Sequence, residues 1–194
     1  GVDASLATSP QLYKQIMAGV FERVFAVGPT FRAEKSATTR HLSEISMLDL
    51  EMAFIKDHTD VIALVTELIK AIVVRINTVC AKELTLLGVE QALAPEAFPV
   101  MTLREAQALI LKETGVDKTK EPDLEPEDER FLCEYANKTW GSDFVFVTHF
   151  PTSKRPFYTH IDPAQPEFTR SFDLLFRGLE VCSGGQRVHN YEEL

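Results

Sequence analysis

Residues 172–187 read Phe172-Asp173-Leu174-Leu175-Phe176-Arg177-Gly178-Leu179-Glu180-Val181-Cys182-Ser183-Gly184-Gly185-Gln186-Arg187. The run from Phe172 to Glu180 is strand-like, and it leads into paired glycines that leave the backbone free to approach a ligand. Asp173 and Glu180 stand seven residues apart. On a regular strand that spacing puts them on opposite faces, so a bulge or twist near Gly178 is needed to bring both to one ligand. Two carboxylates converging beside phosphate oxygens suit magnesium, which takes few protein oxygens and completes its shell with substrate phosphates. Taken alone, the same charges also suit the solvent side of an edge strand.

Two upstream segments add to this floor. Ser9-Pro10-Gln11-Leu12-Tyr13-Lys14-Gln15 opens like a helix, with serine at the cap and proline at the first helical position. Gln11 and Lys14 then share a face near the positive end of that helix, where a small anion is welcome. Further on, Phe31-Arg32-Ala33-Glu34 and Met47-Leu48-Asp49-Leu50-Glu51-Met52 flank a polar stretch containing Arg40-His41. Apolar and acidic residues alternate from Leu48 to Met52, so the segment predicts a hairpin with Asp49 and Glu51 on the face opposite the hydrophobic one. Arginines at such a loop hold polyphosphate through charge-assisted, sometimes bidentate, hydrogen bonds.

These blocks, with Arg155-Pro156-Phe157-Tyr158 between them, resemble in order and spacing the catalytic domain of aspartyl-tRNA synthetases of the archaeal and eukaryotic type. The resemblance runs from about Leu6 to the end of the chain, and Phe31 to Glu34 is similar to motif 2 of class II aminoacyl-tRNA synthetases. It implies an α+β fold, a class II antiparallel sheet flanked by helices, and ATP-dependent activation of aspartate followed by transfer to tRNA. Arg32 matches the arginine on the α-phosphate of ATP and Glu34 its partner near the adenosine. Arg40 and His41 match the residues steadying the outer phosphates, and Glu180 also falls among the ATP-binding positions, with Arg32 and Glu180 as the catalytic pair. Asp173, Glu180 and Ser183 match the magnesium site. Ser9, Gln11 and Asp49 match the groups around the amino and carboxylate ends of aspartate, Lys14 and Arg187 the pair that reads its side chain, and Tyr158 a strand beside the pocket.

Such chemistry needs no nucleophilic side chain, because two anions must be aligned and charge stabilised on the α-phosphate and departing pyrophosphate. A cationic pair favours a carboxylate over a neutral amide. Lys14 therefore argues against asparaginyl-tRNA synthetases, which resemble the chain in motif 2 and usually lack this lysine. A paralogue making free asparagine and a non-catalytic aspartate- or ATP-binding module stay open. Residues 1–194 are expected to be a partial catalytic domain with a small helical insertion at about 84–140. Motif 1, motif 3 and the anticodon-binding domain have no counterpart, so the piece is expected to be inactive alone. The complete protein is expected to be a cytoplasmic homodimer that binds tRNA and no membrane.

Composition agrees with a globular piece. The chain has 194 residues, 45% of them apolar, and a net charge of −9, so tRNA affinity must reside in local patches or in another domain. Lys35, Arg40, Lys154 and Arg155 are candidates for one patch, with solvated surface charge as the alternative for Lys35 and Lys154. Three scattered cysteines suggest a reducing compartment, five dispersed histidines make no zinc spacing, and Cys182 reads as a packed residue. Helical periodicity from His58 to about Lys82 predicts a long amphipathic helix on the back of the sheet. Thr102 to Glu105 forms a capping box for a helix ending near Gly115, and Glu125 to Glu129 opens a third that runs to about Asn137. Asp143 to Thr148 predicts an interior strand, with Phe157 to Ile161 and Thr169 to Cys182 completing an antiparallel sheet that has helices on one side.

Overall fold

Alternation between Leu48 and Met52 does produce a strand. The computed structural model describes residues 3–35, 38 and 41–194, and the chain divides into two units, Gly1–Ile55 and Lys56–Leu194. The first holds α1 (Gln11–Phe21), β1 (Arg23–Phe31) and β2 (Glu44–Met52). The two strands pair antiparallel from Arg23 opposite Met52 to Phe31 opposite Glu44. Pro10, not Ser9, is the helix cap, one residue later than the sequence suggests. Ser9 Oγ still accepts a hydrogen bond from the Gln11 amide at 3.1 Å, so the orphan donor of the first turn is met as expected.

The faces of this hairpin separate as predicted, but their burial is reversed. Asp49 and Glu51, opposite Ala26 and Val24, lie on the covered side with Lys14, whereas Phe25, Val27 and Leu48 are exposed. Lys14 explains the inversion. A lone buried ammonium costs several kcal/mol, and here its nitrogen meets the Asp49 carboxylate, Glu51 Oε2 at 3.2 Å and the Leu50 carbonyl at 3.1 Å. All three donors are thereby used.

The second unit is built on a four-stranded sheet in the order β3 (Val100–Thr102), β4 (Phe144–Thr148), β7 (Ser171–Phe176), β8 (Leu179–Gly185). The strands β4, β7 and β8 are antiparallel, while β3 runs parallel to β4, a departure from the all-antiparallel expectation. A separate ribbon joins β5 (Ile161–Asp162) to β6 (Gln165–Thr169). Phe157 and Tyr158 lie in a turn before it and not in the expected strand.

Helices cover this sheet as their caps and periodicity predict. The Thr102–Glu105 capping box starts α4 (Leu103–Thr114), which ends at left-handed Gly115. Glu125 and Asp128 cap α5 (Pro126–Trp140), with proline at the first turn. Leu103, Ile110, Leu132 and Ala136 from this pair pack with Val145, Val147 and Leu175 of the sheet. The long helix α2 (His58–Val79), capped by Asp57, is followed by α3 (Ala81–Leu87). It reaches β7 and β8, yet its buried Ile62, Val65 and Val73 take no part in that cluster. The sheet's other face is aromatic: Phe144 stacks on Phe176 at 4.6 Å and Phe146 meets Phe172 edge-on at 5.5 Å.

Between β7 and β8 the chain turns through Arg177 (φ 49°) and Gly178 (φ 85°), the two positive angles of a type I′ hairpin. Gly178 is thus a turn residue. The bulge lies further along, opposite Leu174 and Leu175, where Val181 is the extra residue. Gly184 and Gly185 also have a different cause from the one their sequence suggests. A Cβ on Gly184 would stand 2.5 Å from the Phe172 ring, and one on Gly185 would stand 2.7 Å from the Arg170 carbonyl.

Two outcomes follow from this packing. Gly184→Ala or Gly185→Ala is expected to cost about 1–3 kcal/mol in denaturant unfolding through overpacking. Gly28→Ala, with nothing within 4 Å of the added methyl, should stay within about 0.5 kcal/mol. The second concerns His58, 6% exposed, with Nδ1 unpartnered. Burial, and then His149 with its ring 5.4 Å away, push the His58 imidazole below its usual range, with Arg170 adding to this and Asp57 and Asp162 opposing it. A histidine with a depressed folded pKa stabilises the fold above its unfolded value and loses that contribution as pH falls below about 6.5. Wild type should therefore lose more melting temperature than His58→Phe between neutral pH and about 5.5. Equal losses would contradict the assignment.

Candidate active site

Ser9, Gln11, Lys14 and Asp49 of the expected aspartate site lie within the first unit. Gln11 Nε2 donates to Glu51 Oε2 at 3.0 Å, so Gln11 and Lys14 converge on one carboxylate from the same helical face, as their spacing requires. Asp49 sits beside them on Lys14. Glu51 completes this network and was not among the expected site residues, although its alternation with Asp49 placed it on that face.

The expected phosphate-binding residues occupy the connection between β1 and β2. Arg32 is exposed, and its amide donates to the Ser43 carbonyl at 3.0 Å. Half-buried Glu34 donates its amide to the Arg32 carbonyl. His41 is exposed and shares a 2.8 Å hydrogen bond with Thr38 Oγ1 through Nδ1. Arg40 lies outside the described residues.

The second unit carries the acids. Hairpin pairing sets Asp173 opposite Ser183 and Glu180 opposite Leu175. Residues 173 and 175 share a face, so Glu180 joins Asp173 on it through cross-strand register and not through a twist at Gly178. Asp173 is 6% exposed. Burial raises its carboxyl above the usual range, opposed by Arg155, whose Nη2 is 2.6 Å from Asp173 Oδ2. Glu180 is exposed as a residue, yet burial and then the Asp173 charge push its carboxyl up to about 7, opposed by Arg155 and aided by Glu129 and Asp123.

Whether these groups suit magnesium can be judged from their own chemistry. Asp173 Oδ1 is buried without a hydrogen-bond partner, and the two acids raise each other's affinity for a positive charge. Among the described residues, no three His, Cys, Asp or Glu side chains form a cage for a metal ion. Two carboxylates and a hydroxyl form a sparse donor set of the kind magnesium accepts when phosphates supply the remainder. The residues fit.

Tyr158 and Arg187 are also brought together. The Arg187 guanidinium lies 4.3 Å from the centre of the Tyr158 ring, and the Val188 amide donates to the Tyr158 carbonyl at 2.9 Å. Buried Gln186 anchors the preceding position through the Arg170 and His160 backbones. Two concavities of the second unit, about 580 and 360 Å³, lie beside Phe98 and Trp140 and beside Arg130 and Asn137. None of the expected site residues lines either.

Arg155 was expected in a surface patch, and the structure instead spends it on Asp173. Its other neighbour is Phe150, whose ring centre lies 4.0 Å from the guanidinium. No local pattern announces that pairing, since eighteen residues separate the two partners.

The chain is 49% identical to the "aspartate–tRNA(Asp/Asn) ligase" of Thermus thermophilus over 98% of its length and 44% of that protein's. Among solved structures it is similar to an aspartyl-tRNA synthetase from Entamoeba histolytica, with TM-score 0.89, 34% identity, and coverage of 99% of this chain and 41% of the other. An asparaginyl-tRNA synthetase from Pyrococcus horikoshii complexed with asparaginyl-adenylate gives 0.86 and 31%, over 96% of this chain and 43% of the other. The chain thus spans less than half the length of these relatives. The model of the class II tRNA synthetases (D, K and N) matches residues 3–194, and the chain belongs to that family.

Proposed function

We propose that the protein containing this chain is an aspartate–tRNA ligase, with residues 1–194 contributing part of its catalytic domain. The observation that most supports the reading is the buried ammonium of Lys14, held by Asp49 and Glu51. A free aspartate carries one ammonium and a side-chain carboxylate. It can give the first to Asp49 and the second to Lys14, so these two buried charges exchange one partner for another. An asparagine amide offers Lys14 no charge, which is the basis of selection.

Other residues take the roles that family resemblance assigns them. Ser9 and Gln11 line the amino and carboxylate ends of aspartate, while Arg187, steadied on the Tyr158 ring, reads the side chain with Lys14. Arg32 stabilises charge on the α-phosphate as the aspartate carboxylate oxygen bonds to phosphorus and pyrophosphate leaves. Glu34 orients the adenosine, and Arg40 and His41 hold the outer phosphates. Asp173, Glu180 and Ser183 would hold magnesium, which when bound supplies countercharge to those phosphates. The adenylate then passes its aspartyl group to tRNA. We place the complete protein in the cytoplasm as a homodimer; among the described residues no helix is long and apolar enough to cross a membrane.

On the full-length protein, aspartate is expected to support exchange of labelled pyrophosphate into ATP, and asparagine far less. Arg187→Leu and Lys14→Met should each lower kcat/KM for aspartate by about 100-fold, the equivalent of about 3 kcal/mol for a lost charge-assisted contact. KM for ATP should change little. Exchange driven better by asparagine would replace this reading with that of an asparaginyl enzyme.

A further inference from the structure

Arg155 is placed where a carboxylate needs holding. It lies half-buried, one face of its guanidinium on Phe150, which is itself 1% exposed and tied to Thr169 through its carbonyl. Planar stacking of this kind fixes a guanidinium in a way a lysine ammonium cannot match. From that platform Nη2 reaches Asp173 Oδ2 at 2.6 Å. Arginine and carboxylate commonly pair through two parallel bonds. Here only one oxygen is engaged, and Asp173 Oδ1 and Arg155 Nε are both buried without a partner, so the guanidinium presents one nitrogen and leaves Oδ1 uncovered.

A buried carboxylate oxygen without a partner carries the full desolvation penalty of the group. Such an atom calls for an explanation, and a cation that binds there supplies one. We infer that Arg155 is a positioning residue: by holding Oδ2 against the Phe150 platform, it presents Oδ1 of Asp173 to a divalent cation in a fixed orientation. Its catalytic meaning rests on the ligase reading above, whereas cation binding itself does not require aspartate or tRNA. Carboxylates that ligate metals are ordinarily oriented by such outer contacts, whose removal weakens metal affinity roughly 10- to 100-fold.

Charge and position make opposite demands, which makes the idea testable. If Arg155 acted only as a positive charge beside a cation site, deleting it would tighten cation binding. If it positions Asp173, deleting it loosens binding. The probe is Mn²⁺ with the full-length protein, free of nucleotide and amino acid, followed by the electron paramagnetic resonance signal of the unbound ion. Arg155→Met is expected to weaken Mn²⁺ binding roughly 10- to 100-fold, and Arg155→Lys, which keeps the charge but not the stacked plane, by roughly 10-fold. Unchanged or tighter binding in the Lys variant overturns the inference, even if the Met variant fails to fold. Asp173→Asn separates the two levels. It should abolish the binding that Arg155 modulates, and undiminished Mn²⁺ binding there would show that the metal site itself is wrongly placed.

Discussion

Buried Asp143 and its partner Arg177, whose side chain stays one-third exposed, form the ion pair on which the architecture of the larger unit depends. The Asp143 carboxylate accepts from Arg177 Nη2 at 2.8 Å, from the Leu93 amide at 2.9 Å and from Asn137 Nδ2 at 2.7 Å. The guanidinium also reaches the carbonyls of Glu90 and Gln91. The start of β4, the end of α5, the segment before β3 and the β7–β8 turn therefore meet at one satisfied cluster. Arg177 adopts a left-handed backbone, which costs a non-glycine residue roughly 1–2 kcal/mol. Removing Arg177 would take from the buried Asp143 carboxylate its cationic partner, a penalty of about 1–3 kcal/mol that offsets the strain and holds the turn in place.

Everything chemical in this unit follows from the register so imposed. A two-residue turn places Asp173 across from Ser183 and swings Glu180 onto the Asp173 face, and it also sets Gly184 beneath the Phe172 ring. A slip of one residue would send those carboxylates into the aromatic side of the sheet. The smaller unit obeys the same rule with different residues: its acidic face is the covered one because Lys14 and two carboxylates satisfy each other there. In both places the polar groups expected to meet substrate are held by protein charges, and exchange of partners, not creation of a new charged surface, is what binding requires.

Much of this was legible from local sequence, and the failures have a common cause. The helix α2, the α4 capping box, the Glu125 start of α5 and the buried β4 strand are announced by periodicity and caps, which act over a few residues. A bulge or twist near Gly178 is what the Asp173–Glu180 spacing suggests; the two-residue turn found there needs an arginine at positive φ, and the partner of that arginine sits at Asp143, thirty-four residues away. Gly184 and Gly185 looked like room for a ligand, but they are room for Phe172 and the Arg170 carbonyl. Arg155 looked like a surface charge for the same reason, since both Asp173 and Phe150 reach it only in the fold. Within the candidate site, Lys14, Gln11 and Asp49 converge as expected; Glu51 and Arg155 are what the structure adds.

The central claim is that the β7–β8 hairpin keeps one buried carboxylate oxygen without a protein partner so that a cation can use it. Anomalous diffraction from crystals of the full-length protein grown with Mn²⁺ and ATP tests this most directly. The account predicts a manganese peak within coordination distance of Asp173 Oδ1, with Arg155 still on Oδ2. A metal bound elsewhere, or Arg155 swung away and Oδ2 taken in its place, would contradict it.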